Sequence, residues 1–302
     1  MATFLTYNDG NELESVTKMV VNLSPIDTPV LSSIGKTKCI QTLHQWPEDS
    51  LATRANNAIV EGTTISFGTR TAPSRVTNYT QLMVVPYSVS SSDIASKGAG
   101  VDNQFTYQKA KALKELSNDM EYNLINMTSS AGTATQARQM AGLRASITTN
   151  STASWGTPTP KLTETAFILM LQQVWAAGGD PKNCYAPSYM KRAITAFSSN
   201  VTRYVDANAN KLVNNVAVYE SPFGVVEIAL TRDLPNAEST AAVVVGDNSK
   251  ASVAFLEPVT VKDPSEVAQT IYGTQGYVST ECTLEINEKS WSKMEGFSIV
   301  QA

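Results

Sequence analysis

The sequence predicts an α+β chain whose helices and strands occupy separate stretches, and three observations point there. A long segment over residues 102–127 carries apolar residues at helical spacing. Two shorter helical segments follow, each bounded by Gly or Pro. Beyond residue 212 the pattern changes to short β-type runs joined by turn residues. The 302 residues allow one large domain or two closely associated ones. A chain of that length buries roughly three quarters of the surface its unfolded form exposes, so a sizeable core is available.

Taken in order, residues 1–35 read as an irregular arm. Ser24-Pro25-Ile26-Asp27-Thr28-Pro29 interrupts regular structure twice, because each proline lacks an N–H and restricts the residue before it. Leu31 and Ile34 end the arm with apolar side chains that need a surface to cover them. Residues 36–90 read as β structure. Cys39–Trp46 has strand composition, and Tyr79–Ser88 is a second extended run centred on Leu82, Met83, Val84 and Val85. Between them Pro47–Arg75 is polar and poor in apolar residues. The pair suggests a projecting hairpin, too small to bury much of itself and ordered only by a partner. Asp49 or Ser50 stands where it would cap a short helix through Leu51-Ala52-Thr53.

The helix over 102–127 gathers Leu113, Leu116, Met120, Leu124 and Met127 on one face. Lys111, Lys114, Glu115, Asn118 and Glu121 are left for solvent. It follows Gly98-Ala99-Gly100 and stops before Ser129-Ser130-Ala131-Gly132. A helix over 163–177 buries Phe167, Met170, Leu171, Val174 and Trp175, and Gly178-Gly179 ends it. A third, over 187–199, starts on Pro187 and carries Met190, Ile194 and Phe197. Strand candidates are Val216–Tyr219, Val225–Leu230, Ala242–Val245, Ser252–Leu256, Gln269–Tyr272 and Cys282–Ile286. Ser221-Pro222-Phe223-Gly224 and Gly246-Asp247-Asn248-Ser249 read as hairpin turns between them.

Composition narrows the function. Charged residues make up 17%, below the usual ~25%. Ser, Thr, Asn and Gln fill the gap, which suits surfaces that are buried against neighbours. A net charge of −4 argues against a free-standing DNA binder, which needs cations to neutralise phosphates. Met1–Gly10 has no basic-then-apolar signal pattern, and the longest apolar run, Ala166–Leu171, is too short to span a bilayer. The reading is a soluble protein made in the cytoplasm. Cys39, Cys184 and Cys282 are far apart with no CxxC, so they read as reduced thiols packed as small apolar groups.

A search for chemistry yields no catalytic, cofactor-binding or metal-binding residues. His44 is the single histidine and sits in a strand-like run, where it reads as structural or surface. No GxSxG or GxxxxGK[ST] occurs, and Gly98-Ala99-Gly100 lacks the third glycine of a dinucleotide fingerprint. Glu48-Asp49 are adjacent carboxylates, and capping explains them better than acid–base work. Trp46 and Trp291 read as packing residues before ligand platforms. A monomeric enzyme or carbohydrate-binding module remains a rival class for the Ser/Thr-rich β content, and light scattering separates it from an assembling protein.

Seven stretches in order carry a resemblance. They are TPVLSSIGKTK (Thr28–Lys38), HQWPEDSLA (His44–Ala52), Glu61-Gly62, NYTQ (Asn78–Gln81), KELSNDMEYN (Lys114–Asn123), Gly142-Leu143-Arg144 and VSTECTLEINEK (Val278–Lys289). Together they resemble the major capsid proteins of tailed bacteriophages with the Hong Kong 97-type fold, over most of the chain. The resemblance implies an N-terminal arm (1–35), an extended β loop (36–90), a peripheral domain (91–159) with its spine helix at 102–127, an axial domain (160–255) and a return to the peripheral domain (256–302). It implies self-assembly into hexamers and pentamers of an icosahedral shell around double-stranded DNA, in the virion, after assembly in the host bacterial cytoplasm. Further partners would be a portal protein and a separate scaffolding protein, since no long cleavable helical segment precedes Thr28-Pro29. The packaged DNA would be met by non-specific proximity, with no membrane and no cofactor. A cellular encapsulin-like nanocompartment holding protein cargo is the alternative with the same fold.

Two expectations follow for contacts between copies. The extended loop would lie across a neighbour's spine helix, so Arg54, Arg70 and Arg75 would meet Glu115, Asp119 and Glu121. Some relatives join a loop lysine to an asparagine of a neighbour, but no lysine lies between Leu51 and Leu82 here, and a guanidinium is no substitute for the amine nucleophile. Mature shells should therefore run as single subunits on a denaturing gel; a ladder of covalent oligomers would refute this.

Overall fold

The computed structural model describes residues 27–65, 67–96, 103–152, 162–197, 218–236, 240–265, 267 and 272–297. The chain divides into two compact units. The larger holds Asp27–Met83, Asn118–Pro258 and Thr280–Ala302; the smaller, in its described part, draws on Val84–Ser117 and Val259–Ser279.

A six-stranded sheet organises the larger unit. Its strands are β5 (Ser151–Thr152), β6 (Asn183–Ala186), β7 (Val218–Ser221), β8 (Gly224–Leu230), β9 (Ala241–Gly246) and β12 (Trp291–Phe297), in the order β5-β12-β9-β6-β8-β7. On one face lie the helices α5 (Glu164–Ala176) and α6 (Ser188–Ala196). Phe167, Met170 and Leu171 of α5 and Met190 and Ile194 of α6 meet Cys184, Val226, Ile228, Val243, Val245 and Met294 of the sheet in one buried cluster. Local signals set the limits of α5. The Thr163 hydroxyl accepts from the Ala166 N–H at 3.2 Å. At the other end Gly178, at φ +91°, donates to the Trp175 carbonyl and Gly179 donates to that of Val174, closing the helix in the left-handed turn that glycine adopts without strain. That is the stop read from the sequence.

The other face of the sheet is covered too, so Ala-Ala-Val-Val-Val of β9 is buried on both sides. Trp291 is fully buried and stacks on Tyr185 at 6.3 Å with an 8° interplanar angle. Its Cα partner across the ladder is Gly246. A Cβ on Gly246 would lie 2.3 Å from the indole, so this strand position requires glycine to let the ring cross it.

Gly246-Asp247-Asn248-Ser249 is not a hairpin. Strand β9 pairs with β12 and β6, whereas the next strand, β10 (Ala251–Lys262), pairs in a second sheet. Asp247 instead caps the 3-10 turn Asn248–Lys250, accepting from the Ser249 N–H at 2.9 Å, and the chain changes sheets there. The other expected turn holds: β7 and β8 form a hairpin with Ser221 paired to Gly224. The expected strand start at Val216, the helix end at Ser199 and the strand candidate at Gln269 lie outside the described residues.

The second sheet comprises β1 (Gly35–Lys38), β4 (Gln81–Ser90), β10 and β11 (Gly273–Ile286). Strands β4, β10 and β11 and the long helix α3 (Gln104–Asn126) each run on from one unit into the other. Helix α3 has 23 residues, ~34 Å at the usual rise. The Asn103 side chain caps it by accepting from the Thr106 N–H at 3.1 Å. Leu116, Met120 and Leu124 are buried as read, while Lys111, Lys114 and Glu115 are exposed. In the smaller unit the Tyr87 ring packs on Phe105 at 5.2 Å, and Lys109 pairs with Asp263 at 2.7 Å.

Gly246→Ala should cost ~1–3 kcal/mol of stability through overpacking against Trp291. Urea unfolding of the variant beside the native chain checks this, and an unchanged midpoint would show that the indole is free to shift.

Candidate functional site

The most unusual surface lies between strands β2 (Leu43–Glu48) and β3 (Ser74–Tyr79). They form an antiparallel ladder running from Leu43 opposite Tyr79 to Glu48 opposite Ser74. The return strand of the hairpin is thus Ser74–Tyr79, which begins inside the stretch read as polar and ends at the first residue of the expected second run; Tyr79–Ser88 mostly belongs to β4 in the other sheet. Composition misled because β3 is Ser-Arg-Val-Thr-Asn-Tyr, with only its Asn buried.

From Asp49 to Pro73 the chain forms no helix or strand among the described residues, and every one of those residues is exposed. The short helix expected through Leu51-Ala52-Thr53 is absent: Asp49 accepts from the Ser50 N–H, a one-residue contact that caps nothing. Other hydrogen bonds are equally local, from Ala58 N–H to the Asn56 side chain and from Thr63 N–H to the Val60 carbonyl. Gly62, at φ +81°, makes the turn there. The loop is also less polar in effect than its composition suggests. Leu51 is 98% exposed and Phe67 95%, and Ile59, Val60 and Ile65 are 70%, 78% and 66% exposed. An exposed apolar series of this kind marks a contact surface far better than scattered charges do.

The base of the hairpin is rigid by contrast. Asn78 is buried, donates to the Ala141 and Leu284 carbonyls at 3.1 and 2.8 Å, and accepts from the Ala141 N–H at 2.8 Å. Beside it the Thr80 hydroxyl donates to Glu281 at 2.5 Å. Arg138 donates to the Thr80 carbonyl at 2.7 Å and to Glu281 at 2.5 Å. His44 lies on the same hairpin, half-buried, with Nε2 3.2 Å from the Glu285 carboxylate and its ring 5.6 Å from Trp46. The clamp residues Asn78, Thr80, Arg138 and Glu281 were missed as a site by sequence reasoning. The NYTQ and VSTECTLEINEK stretches contain three of them, but nothing in either says that they meet.

The residues read as contact candidates separate into two groups. Arg54 and Arg70 lie on the loop and Arg75 on β3, all exposed. Glu115 is exposed and sits 3.6 Å from Lys111 one turn earlier, and Asp119 is exposed. Glu121 is a correction: it is fully buried, and its carboxylate accepts from the Val30 and Leu31 N–H groups of the same chain. Helical spacing put it with the solvent-facing residues, but a segment about 90 residues away covers that part of the helix.

An open cleft of about 1000 Å³ lies by the hairpin base, lined by Lys36, Trp46, Glu48, Lys250, Glu285 and Lys289 among others. Its charges are of both signs. Among the described residues no group of His, Cys, Asp and Glu side chains converges as metal ligands would. The three cysteines are buried and unpaired, and burial pushes the Cys184 and Cys282 thiols up to about 12.

Comparison with known proteins places this architecture. The capsid of a native GTA particle aligns with a TM-score of 0.67 at 10% identity, over 99% of this chain and 100% of that one. The encapsulin of the holo-SrpI complex from Synechococcus elongatus PCC 7942 aligns with a TM-score of 0.59 at 14% identity, over 95% and 94% of the two chains. These likenesses show the fold, the α+β capsid fold of the Hong Kong 97 type. In sequence, 126 residues are 33% identical to the major capsid protein of Escherichia phage Phieco32, covering 41% of this chain and 35% of that protein. The matched part thus spans about a third of that relative's length. The description of the SU10 major capsid protein family fits residues 2–297, nearly the whole sequence, and the chain belongs to that family.

Proposed function

We propose that the chain assembles with copies of itself, through hexamers and pentamers, into the icosahedral shell of a tailed phage enclosing double-stranded DNA. The observation that carries this reading is the loop from Asp49 to Pro73, exposed throughout its described residues and apolar at five positions. Ordering such a loop costs ~1–2 kcal/mol of backbone entropy per residue, and it buries nothing of its own to offset that. Contact with a neighbouring copy supplies the offset. The loop is the tip of an extended region, 36–90, that follows an arm, 1–35. The peripheral domain spans 91–159 and 256–302 with α3 as its spine, and the axial domain spans 160–255. A separate scaffolding protein and a portal protein are the further partners. Packaged DNA is met by proximity alone, and assembly takes place in the host bacterial cytoplasm. The role is structural, with His44 held by Glu285 as part of the hairpin rather than serving catalysis.

Magnitudes rank the loop's contacts. Burying a Leu, Ile, Val or Phe side chain stabilises by ~1.5–3 kcal/mol, whereas an exposed ion pair gives ~0–1 kcal/mol. Affinity therefore comes mainly from Leu51, Ile59, Val60, Ile65 and Phe67. Arg54, Arg70 and Arg75, facing Glu115 and Asp119 of a neighbour, set register.

The native protein, expressed and viewed by negative-stain microscopy, should form closed shells; a monodisperse monomer by light scattering would sink the proposal. Nucleic acid within shells from infected cells supports the phage reading, and a captive enzyme would favour an encapsulin-like compartment instead.

Replacing Ile59, Val60 and Phe67 together with Ser should abolish shells in sedimentation while the subunit unfolds at the native urea midpoint, because these side chains stand largely open to solvent. Arg70→Glu with Arg75→Glu should have a weaker effect that salt diminishes, partly restored by Glu115→Lys or Asp119→Lys. Normal shells from the triple Ser variant would remove the loop from assembly.

A further inference from the structure

Two carboxylates are buried among the described residues, Glu121 and Asp247, and their surroundings differ. Both accept two backbone N–H groups. Glu121 takes those of Val30 at 2.8 Å and Leu31 at 2.7 Å; Asp247 takes those of Ser249 at 2.9 Å and Asp180 at 3.4 Å. Burial alone would raise the Asp247 carboxyl, but the Ser249 hydroxyl, these N–H groups and the charge of Lys250 hold it below its ordinary value. Glu121 has its two N–H groups but neither a hydroxyl nor a cation acting beside them. Burial pushes its carboxyl up to about 7. The Leu31 and Val30 N–H groups pull against this, and the like charge of Asp233 adds to it. The Tyr185 hydroxyl faces the same region from β6 and is itself raised by burial, with Glu121 adding to the rise.

What Glu121 holds is the start of the described chain. Helix α1 (Pro29–Ser33) has five residues. Pro29 has no N–H and the Thr28 side chain makes no capping bond, so the first free donors are Val30 and Leu31. Glu121, from the far half of α3, takes both. Around this contact Val30 and Ile34 are buried, the Ser33 hydroxyl meets Tyr185 at 2.5 Å, and Asp27 pairs with Arg232 at 3.2 Å on the surface.

We propose that Glu121 is a proton-operated latch that fastens residues 27–34 to the long helix, more firmly in its protonated form than in its ionised form. The sign follows from linkage. A released carboxyl is solvated and returns to its ordinary value of 4.5, so the docked form binds the proton more tightly and the proton in turn favours docking. The extra stabilisation is full below about 4.5 and is lost as pH rises through about 7. The latch operates within one subunit.

Hydrogen exchange read by mass spectrometry on peptides covering 27–34, corrected for the intrinsic rate, tests it in the full chain. Protection should fall about tenfold between pH 6 and pH 8, while peptides from β9 keep theirs. Glu121→Gln, uncharged throughout, should hold protection constant over that range. Asp233→Asn leaves Glu121 in place and removes the like charge, so the fall should move to lower pH. Constant protection in the native chain overturns the latch, as does an unchanged pH dependence in Glu121→Gln or an unshifted one in Asp233→Asn.

Discussion

The Asn78 amide holds three backbone groups at once, and the position of the whole projecting hairpin depends on it. A two-stranded ribbon is marginal in water on its own, and among the described residues β2–β3 has no third strand beside it. Its stability comes from the clamp at its base, where one buried amide satisfies both backbone groups of Ala141 and the carbonyl of Leu284. Arg138 and Glu281 extend the clamp to Thr80. Both are largely shielded from solvent, so removing either leaves a partly buried charge without its partner, which costs far more than the pair contributes. The same polar groups fix where the hairpin sits, because the buried Asn78 amide would lose its partners if the base shifted.

The rigid base and the unburied loop are complementary. In the proposed shell, a loop whose described hydrogen bonds are all local takes its order from the copy it meets, and a clamped base makes it leave the subunit at one place each time. Assembly of many copies needs both properties. A loose base would multiply wrong contacts, and a loop that buried its own apolar side chains would have nothing left to offer a neighbour.

The six-stranded sheet shows how sequence economy serves the same end. Helices α5 and α6 cover one face with ordinary apolar packing. The other face is closed by aromatic stacking of Trp291 on Tyr185 over Gly246, and the Tyr185 hydroxyl reaches Asn248 and Ser33. A single tyrosine thus joins the sheet, the turn where the chain changes sheets, and the segment fastened by Glu121. Core packing and chain-entry geometry are coupled through it.

By itself the sequence determined the α+β class, the three longer helices with the Gly178-Gly179 stop, most strands, and the ordered stretches that carry the family resemblance. These are local properties: apolar spacing, capping and turn chemistry act within a few residues and are written there. The tertiary structure alone decided that β9 and β10 part into different sheets and that Ser74–Tyr79 is the hairpin's return strand. It also decided that five diluted apolar residues of the loop stand open to solvent, and that Glu121 lies inside while Glu115 and Asp119 stay out. Periodicity tells which side of a helix faces the body of the protein, but not where the covering chain comes to rest. Glu121 is buried because Val30 and Leu31, some 90 residues earlier, bring two unpaired N–H donors to that one turn, and a donor's approach across that distance is a property of the folded chain.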